Sequence, residues 1–183
     1  MEIYIIILIA VAAIALLVIF VYNSLISLKN QAKNAWAQID VQLKRRNDLI
    51  PNLVEAVKGY MKHEKEVFTE ITKARAGIMS AKSIESKAKA SSELSGALKS
   101  FFAVAENYPK LKASENFMQL QEEISGTENK IAYSRQYYND VVMVYNTKVQ
   151  VFPQSVLANI FKFEKMESFL ADASERKNVE IKL

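Results

Sequence analysis

The sequence predicts an all-α protein: an N-terminal transmembrane helix followed by an elongated antiparallel helical bundle of three long helices and a short C-terminal one. Three observations predict this fold. An apolar run extends unbroken from Ile3 to Tyr22, apolar residues then recur in steps of four and three, and only four Gly and three Pro occur in 183 residues. Such a composition favours helices and provides little turn chemistry for a sheet. We expect an anchor over 1–24, a bundle domain over 25–165 and a charged C-terminal tail over 166–183.

The apolar run is long enough to cross a membrane. As a helix, Ile3 to Tyr22 would extend over roughly 30 Å, which is the thickness of a bilayer's hydrocarbon core. The alternative is a cleaved signal peptide, which needs a basic start and an apolar stretch of about 7–15 residues. Here Glu2 precedes a longer run, and the alanines lie inside it rather than after it. We therefore predict a retained anchor.

Basic residues flank the apolar run on one side only. None precedes it, and five follow it within the next part of the chain: Lys29, Lys33, Lys44, Arg45 and Arg46. Because positively charged flanks remain in the cytoplasm, the N-terminus is predicted to lie outside and the helical body in the cytoplasm.

The first bundle helix shows a heptad seam, the spacing of long helices packed at shallow angles. Its members are Ala32, Trp36, Ile39, Leu43, Arg46, Ile50, Leu53, Val57, Tyr60, Glu64, Val67, Ile71, Ala74 and Ile78. Pro51 lies inside the seam, where a proline costs about 3 kcal/mol. Since the register does not slip at Pro51, we predict a kink in one long helix, with a break as the alternative. Gly77 and the polar segment from Ser80 to Ser92 are predicted to end this helix and form a connection.

A second, shorter helix is predicted from a seam formed by Leu94, Leu98, Phe101, Ala105 and Tyr108. Pro109 ends it, because the residue before a proline is pushed out of helical geometry. The segment from Asn107 to Ala113 is therefore expected to be a loop.

The third helix is predicted to extend from Ser114 to about Gln150. Six apolar or aromatic residues recur there every seven positions: Phe117, Ile124, Ile131, Tyr138, Tyr145 and Phe152. Pro153 ends the helix. The segment from Val156 to Phe163 is expected to form a short packed helix, and the charged stretch after Leu170 is expected to fray.

Several function classes are excluded by residue counts. The single histidine, His63, cannot supply the two histidines of a zinc-protease motif or of a di-iron carboxylate site. Cysteine is absent, and no phosphate-binding loop or nucleophile motif occurs. The net charge of +4 is mild and spread out, unlike the clustered charge of nucleic-acid-binding proteins. We expect no enzymatic activity, no cofactor, no metal and no nucleic-acid partner.

Polar residues interrupt the predicted seams. Arg46 and Glu64 lie on the first seam, and a buried charge needs a partner. One hypothesis pairs Arg46 with an acid of the third helix, Glu128 or Asp140; the alternative puts both charges at the wet edge of the seam. Asn139 and Asn146 are expected to fix helix register through side-chain hydrogen bonds, as buried asparagines do in coiled coils.

The segments of the chain resemble the LemA family of bacterial membrane proteins over nearly its whole length. The matching stretches are the anchor, Ala35-Trp36, Arg45 to Val54, Lys58-Gly59-Tyr60, His63-Glu64, Glu106 to Lys112, Thr127 to Ala132, Arg135, Tyr138-Asn139, Tyr145-Asn146 and Phe152-Pro153. The resemblance implies a single anchor in the bacterial cytoplasmic (inner) membrane and an antiparallel bundle. It also implies partnership with an HtpX-type membrane metalloprotease in membrane-protein quality control. No catalytic residues are assigned in the family, so none is implied here.

Within those segments the resemblance marks a set of polar or conformationally special residues as candidates for interaction or bundle pairing. They are Arg46, Asp48, Pro51, Asn52, Glu106, Asn107, Tyr108, Glu128, Asn129, Arg135 and Asn139. We expect a membrane-anchored, non-enzymatic scaffold or adaptor that forms homo-oligomers or works with a membrane partner. The alternative is a membrane-remodelling protein that binds lipid directly.

Overall fold

The structure, a computed structural model, describes residues 1–169 and consists of helices in that part of the chain. They are α1 (Glu2–Val57), α2 (Lys65–Ser80), α3 (Ile84–Ala105), α4 (Pro109–Lys112), α5 (Glu115–Gln150) and α6 (Gln154–Ile160). The predicted all-α helical bundle with a long apolar N-terminal helix is confirmed. The predicted tail from residue 170 onward lies outside the described residues, and the predicted domain boundaries stay a prediction.

The chain divides into two compact units. One, here called the anchor unit, combines 1–36 with 136–168, and the other, the bundle unit, combines 37–135 with Phe169. Helix α1 has its first part in the anchor unit and its second part in the bundle unit, and α5 has the reverse order.

Helix α1 passes through Pro51 and ends at Val57. The helix is continuous from the apolar run through Pro51, so the alternative of a break at Pro51 is wrong. The prediction of one helix reaching Gly77 is wrong, because the chain turns at residues 58–64, where the amides of Tyr60 and Met61 both donate to the Val57 carbonyl. The seam misled because its four-three spacing continues across the turn, and α2 also buries Ile71 and Ile78.

The connection between α2 and α3 is only three residues long, not the Ser80 to Ser92 segment that was predicted. Ser83 caps α3: its hydroxyl accepts from the Ser86 amide, while the Ser86 hydroxyl accepts from the Ser83 amide. This capping box starts the helix early and brings Ser91 into the core. Most of this serine-rich segment is therefore helical, because the Ser83 hydroxyl accepts a hydrogen bond from the Ser86 amide, which has no partner within the helix.

The bundle unit packs four helices that alternate in direction. Arg75 of α2 donates to the Asn47 carbonyl of α1, Phe68 of α2 meets Phe101 of α3, and Ser95 of α3 meets Glu128 of α5. Their apolar faces share one core with Met61 of the turn after α1 and Leu111 of α4. Its other members are Ile50, Leu53, Val57, Ile71, Ala74, Ile78, Ala90, Leu94, Ala97, Leu98, Phe101, Ala105, Phe117 and Ile124. The same helices carry the polar residues Arg46, Ser91, Ser95 and Glu128.

Helix α5 has the predicted bounds to within a residue, and the segment before it contains the short helix α4 where a loop was predicted. The predicted heptad residues from Phe117 to Tyr145 are buried. The last one, Phe152, is 82% exposed, so its predicted seam position is wrong. Helix α5 has already ended at Gln150, and the turn before α6 points Phe152 away from the core.

The anchor unit begins with an apolar helical stretch that no other part of the described chain covers. Residues 2–17 are all exposed, and Val21 is the first buried residue of the chain. From there one buried apolar cluster of this unit consists of Val21, Leu25, Tyr145, Val149, Ala158 and Phe163. Residues 163–168, here called the strap, have no regular secondary structure and follow α5 in the reverse direction.

Candidate functional site: a buried arginine that joins three helices

The most buried charge in the described chain is Arg46, whose side chain is 0% exposed. One terminal nitrogen, Nη1, donates to Ser95 Oγ at 2.8 Å and forms an ion pair with Glu128. The other, Nη2, donates to Ser91 Oγ at 3.0 Å and to the Ser91 carbonyl at 3.2 Å. One guanidinium therefore connects α1 to both α3 and α5.

Local sequence explains how these residues meet. Arg46 occupies a seam position of α1, so the helix directs it into the core. Ser91 and Ser95 are four residues apart and therefore lie on the same face of α3. The Ser95 hydroxyl also donates to Glu128 Oε1 at 2.7 Å, which completes a ring of polar contacts. We call these four residues the arginine cluster.

Burial has the largest effect on the pKa of Arg46 in the arginine cluster. Burial lowers the pKa of Arg46, while the charge and hydrogen bond of Glu128 oppose that shift and the like charge of Arg135 adds to it. An arginine pKa is so high that the guanidinium stays charged in spite of this. The charge must therefore be neutralised in place, and Glu128 is the residue that does so.

A cavity of about 320 Å³ lies beside the arginine cluster, between α3 and α5. Its lining consists of Ser95, Leu98, Lys99, Phe102, Gln121, Ile124, Ser125 and Glu128. The Glu128 side chain is 41% exposed. It contacts Arg46 and Ser95 on one side and lines the cavity on the other. Arg46 itself is out of reach of solvent.

The predicted pairing of Arg46 with an acid of the third helix is confirmed, and the acid is Glu128 rather than Asp140. Ser91 was missed because the segment to Ser92 was assigned to a connection, and Ser95 was missed because it is not one of the apolar residues of the second seam. Their four-residue spacing on either side of Leu94, the first seam residue, was the signal that could have revealed them.

The other candidates on α1 are exposed and lie apart from the cluster. Asp48 accepts a hydrogen bond from Lys44 one turn before it, at 2.6 Å. Pro51 is exposed, which limits the cost of its missing amide. Asn52 lines a groove of about 620 Å³ between α1 and α5, together with polar residues such as Asn116 and Glu123.

The candidates at the end of α3 form a separate corner. Glu106 and Asn107 are exposed, whereas the Tyr108 hydroxyl donates to Glu64 Oε1 at 2.8 Å. That hydrogen bond raises the pKa of Tyr108. Glu64, the second charge on the predicted seam, thus has a tyrosine rather than a cation as its hydrogen-bond partner at this corner.

The remaining candidates lie along α5. Asn129 is exposed, and the guanidinium carbon of Arg135 lies 4.7 Å from the centre of the Phe169 ring, a cation–π geometry. Asn139 is half-buried. Of the candidate residues, then, the structure brings Arg46 and Glu128 into direct contact, with Arg135 close enough to affect the pKa of Arg46. The role of the set in interaction stays a prediction.

A second polar arrangement, in the anchor unit, holds the strap against α5. The hydroxyls of Tyr138 and Tyr145 donate to the carbonyls of Glu167 and Glu164, at 2.7 and 2.9 Å. Asn146 makes two bonds to the backbone of Met166, donating through Nδ2 and accepting through Oδ1, both at 2.9 Å. The expectation that Asn146 fixes helix register is wrong: it binds an extended segment instead.

The same contacts act on the two tyrosines. Burial raises the pKa of both Tyr138 and Tyr145, and the neighbouring carboxylates of Glu167 and Glu164 add to the increase. Sequence reasoning assigned these tyrosines to the seam but did not find the strap. The signal was a pair of buried tyrosines seven residues apart, since a buried hydroxyl needs a hydrogen-bond partner.

Metal ligation has little basis among the described residues. Over 1–169, no three His, Asp or Glu side chains converge as metal ligands do. The expectations of no metal and no cofactor stay predictions. The expectation of no enzymatic activity stays a prediction.

Known proteins provide a comparison for this architecture. The model of the LemA family matches residues 35–183. Protein LemA of Metamycoplasma hominis is 30% identical over 176 residues, which cover 87% of this chain and 78% of that protein. Magnetosome protein MamQ of Magnetospirillum gryphiswaldense and Magnetosome protein MamQ 2 of Paramagnetospirillum magneticum are each 22% identical over 174 residues. Those matches cover 81% of this chain and 64% of either MamQ protein.

The family match and the apolar helix agree with each other. By length and composition, α1 contains one candidate membrane span near the N-terminus, with a mean hydropathy of 3.3 and none of it buried. Together they indicate a membrane-associated protein. The family match over 35–183 and the 30% identity to a LemA protein place the chain in the LemA family.

Proposed function

We propose that this protein is a membrane-anchored, non-enzymatic helical scaffold or adaptor that acts by self-assembly or with a membrane partner. The observation that carries the proposal is the arginine cluster. Its guanidinium is enclosed and its two terminal nitrogens bind Ser91, Ser95 and Glu128, so it stabilises the packing of three helices. A charge used in this way gives the bundle a fixed shape rather than a reactive centre.

The membrane topology is part of the proposal. The apolar stretch of α1 would cross the bacterial inner membrane once, with the N-terminus outside and both units' remaining residues in the cytoplasm. Lys29 and Lys33, which directly follow the span, support this orientation. A single-pass anchor would keep the helical body next to the membrane, where a scaffold or adaptor could meet other membrane proteins.

The partner side of the proposal draws on the surface of α5. Tyr137 and Val144 are exposed apolar residues on its anchor-unit part, seven residues apart and therefore on one face of the helix. Clustered exposed apolar side chains are a usual feature of protein contact sites. Candidate partners are a second copy of the chain and, from the family resemblance, an HtpX-type membrane metalloprotease in membrane-protein quality control.

The first test is the mass of the native complex. The full chain is extracted from its own membrane in a mild detergent, and its mass and accompanying proteins are determined. A defined homo-oligomer supports a scaffold, and a stoichiometric membrane companion supports an adaptor. A bare monomer without companions, with the same result after cross-linking in intact membranes, contradicts both.

Topology is tested separately by thiol labelling. The chain has no cysteine, so an introduced thiol is the only one that can be labelled. Asp140→Cys places a thiol at an exposed site of α5. We expect a membrane-impermeant maleimide to label it only after the cells are opened. Labelling in intact cells would place the body outside.

A second candidate function, direct lipid binding with membrane remodelling, is favoured by one observation. Apolar residues in the turn after α5 and in α6 are also exposed, among them Phe152 and Ile160. Reconstitution of the full chain into vesicles distinguishes the two functions: a change of vesicle shape or size that depends on protein density favours remodelling, and unchanged vesicles favour the scaffold.

A further inference from the structure

The turn after α5 and helix α6 present apolar side chains that the protein itself does not bury. Five of them are exposed, and we call them the apolar ledge: Val151, Phe152, Val156, Ile160 and Phe161. Phe152 continues the aromatic heptad series of α5 but is 82% exposed, and Ile160 is 65% exposed. Apolar side chains clustered in this way indicate a contact surface.

The apolar ledge is held beside the point where the apolar part of α1 ends. The Tyr22 ring lies 5.0 Å from the Phe161 ring and 5.8 Å from the Phe163 ring, both in edge-to-face geometry. Two residues further along α1, Ser24 accepts a hydrogen bond from Lys148 at 2.6 Å. The ledge is thus at the same level along α1 as the last residues of the candidate span.

Packing prevents the apolar ledge from turning inwards. Ala158 and Phe163 belong to the buried core that also contains Val21 and Leu25, and Leu157 packs against it. Helix α6 therefore presents one face to α1 and α5, and its other face, with Val156 and Ile160, points away.

Basic side chains surround this region. Lys162 directly follows the apolar ledge and is exposed, Lys148 reaches Ser24, and the Lys29 ammonium lies 5.7 Å from the centre of the Phe163 ring. Lysines next to an exposed apolar surface suit a bilayer boundary, where the apolar part meets acyl chains and the ammonium groups meet anionic headgroups. Aromatic residues such as Tyr22 are also common at that boundary.

We propose that the apolar ledge inserts into the interfacial layer of the same bilayer that α1 crosses. The protein would then have two membrane contacts, a spanning helix and a shallow one, which together fix the tilt of the anchor unit against the membrane. The occupant of this surface is lipid, because the ledge continues the apolar surface of the span and carries flanking cations. The inference rests on the membrane anchorage in the proposed function.

The test uses spin labels on the full chain, which has no native cysteine to interfere. Phe152→Cys and Ile160→Cys place labels on two separate, exposed parts of the ledge, so neither substitution removes core packing. Gln136→Cys is the matched control, exposed on α5 and roughly 20 Å back along the helix from its end. Ile9→Cys is the reference inside the span. Each variant is reconstituted into vesicles containing anionic lipid, and collisions with oxygen and with a water-soluble nickel chelate are compared.

We expect the labels at 152 and 160 to collide more often with oxygen than with the chelate, at a depth of about 5–10 Å below the headgroup boundary. The label at 136 should show the opposite preference. If 152 and 160 behave like 136 while the label at 9 reports lipid, the ledge inference is wrong and the anchorage stands. If the label at 9 also reports water, the anchorage itself fails and the inference fails with it.

Protein contact gives a different signature. A label at 152 that meets neither oxygen nor the chelate, with dipolar broadening between labels, would mean that a second copy covers the ledge. That result also overturns lipid as the occupant.

Discussion

In the bundle unit a fully buried guanidinium joins three helices, whereas in the anchor unit neutral side chains of α5 bind the backbone of the strap. The first arrangement depends on a charge that cannot be left alone in the core. The second depends on several separate hydrogen bonds, each of modest free energy. A buried charge that loses its partner is penalised far more than a neutral group, so the two units should respond very differently to single substitutions.

The largest effect is expected from the arginine cluster. Arg46→Ala empties the space of a large buried side chain and removes the hydrogen bonds that join three helices, so the free energy of unfolding should fall by about 2–5 kcal/mol. Denaturant unfolding of the full chain in detergent, monitored through hydrogen exchange in α3 and α5, measures this loss of stability. The matched control is Arg45→Ala, one residue earlier, whose ion pair with Glu123 is exposed and 3.6 Å long. The control should lose no more than about 1 kcal/mol. Equal losses for both variants would remove the distinction between the two units.

The strap should respond less strongly. Asn146→Ala removes two bonds to Met166, which at roughly 1 kcal/mol per bond lowers the stability of the strap by about 2 kcal/mol. Faster hydrogen exchange at residues 163–168, with α3 unchanged, is the expected readout. The control is the exposed neighbour Thr147→Ala, expected within about 0.5 kcal/mol of the wild type. Slow exchange in the strap of the Asn146 variant would mean that packing alone holds it.

Alkaline pH offers a selective test of the anchor unit. The pKa of Tyr138 and of Tyr145 is raised in the folded protein, so their contribution to stability is complete below the unfolded-state value near 10. It is lost as the pH rises through the higher folded-state pKa, because the ionised hydroxyl can no longer donate to the strap. Strap exchange should therefore accelerate above about pH 10, more than base catalysis explains. The double variant Tyr138→Phe and Tyr145→Phe should lack that extra acceleration; its persistence would assign the effect to other groups.

The smallest effect is expected at the surface of α1. Lys44→Ala removes an exposed pair with Asp48 one turn away, a contact of about 0.3–0.5 kcal/mol that salt screens. Unfolding at low and high salt measures it, and the difference from the wild type should vanish at high salt. A loss comparable to that of Arg46→Ala would show that this pair does more than its exposure suggests.

Many of the buried seam positions could be predicted from the heptad periodicity of the sequence. The buried positions of α1 from Ala32 to Val57 and of α5 from Phe117 to Tyr145 follow the heptads read from the sequence. The partner of Arg46 was predictable because a charge on an apolar seam needs an acid on a facing helix. The turn after Val57 was not, because a four-three spacing continues across it and periodicity does not record chain direction.

The hydrogen-bond partners were harder to predict. Ser91 and Ser95 lie in a serine-rich segment that resembles a linker until the Ser83 cap is recognised. Asn146 was expected to bond to another helix, as an asparagine on a seam usually does. It binds Met166 because the chain after α6 returns along α5, which no local pattern indicates.

By itself the sequence determined the apolar span, the helical class and most of the residues that face the cores, because each depends on local composition and spacing. It also determined the family, through the resemblance of its segments. Only the tertiary structure decided that four helices alternate in the bundle unit, that two serines complete the arginine cluster and that an extended strap satisfies the buried tyrosines. It also decided that Phe152 faces outwards beside the end of the span. These features depend on where the chain reverses and which distant segments meet, and contacts between distant segments leave no periodic trace in the sequence.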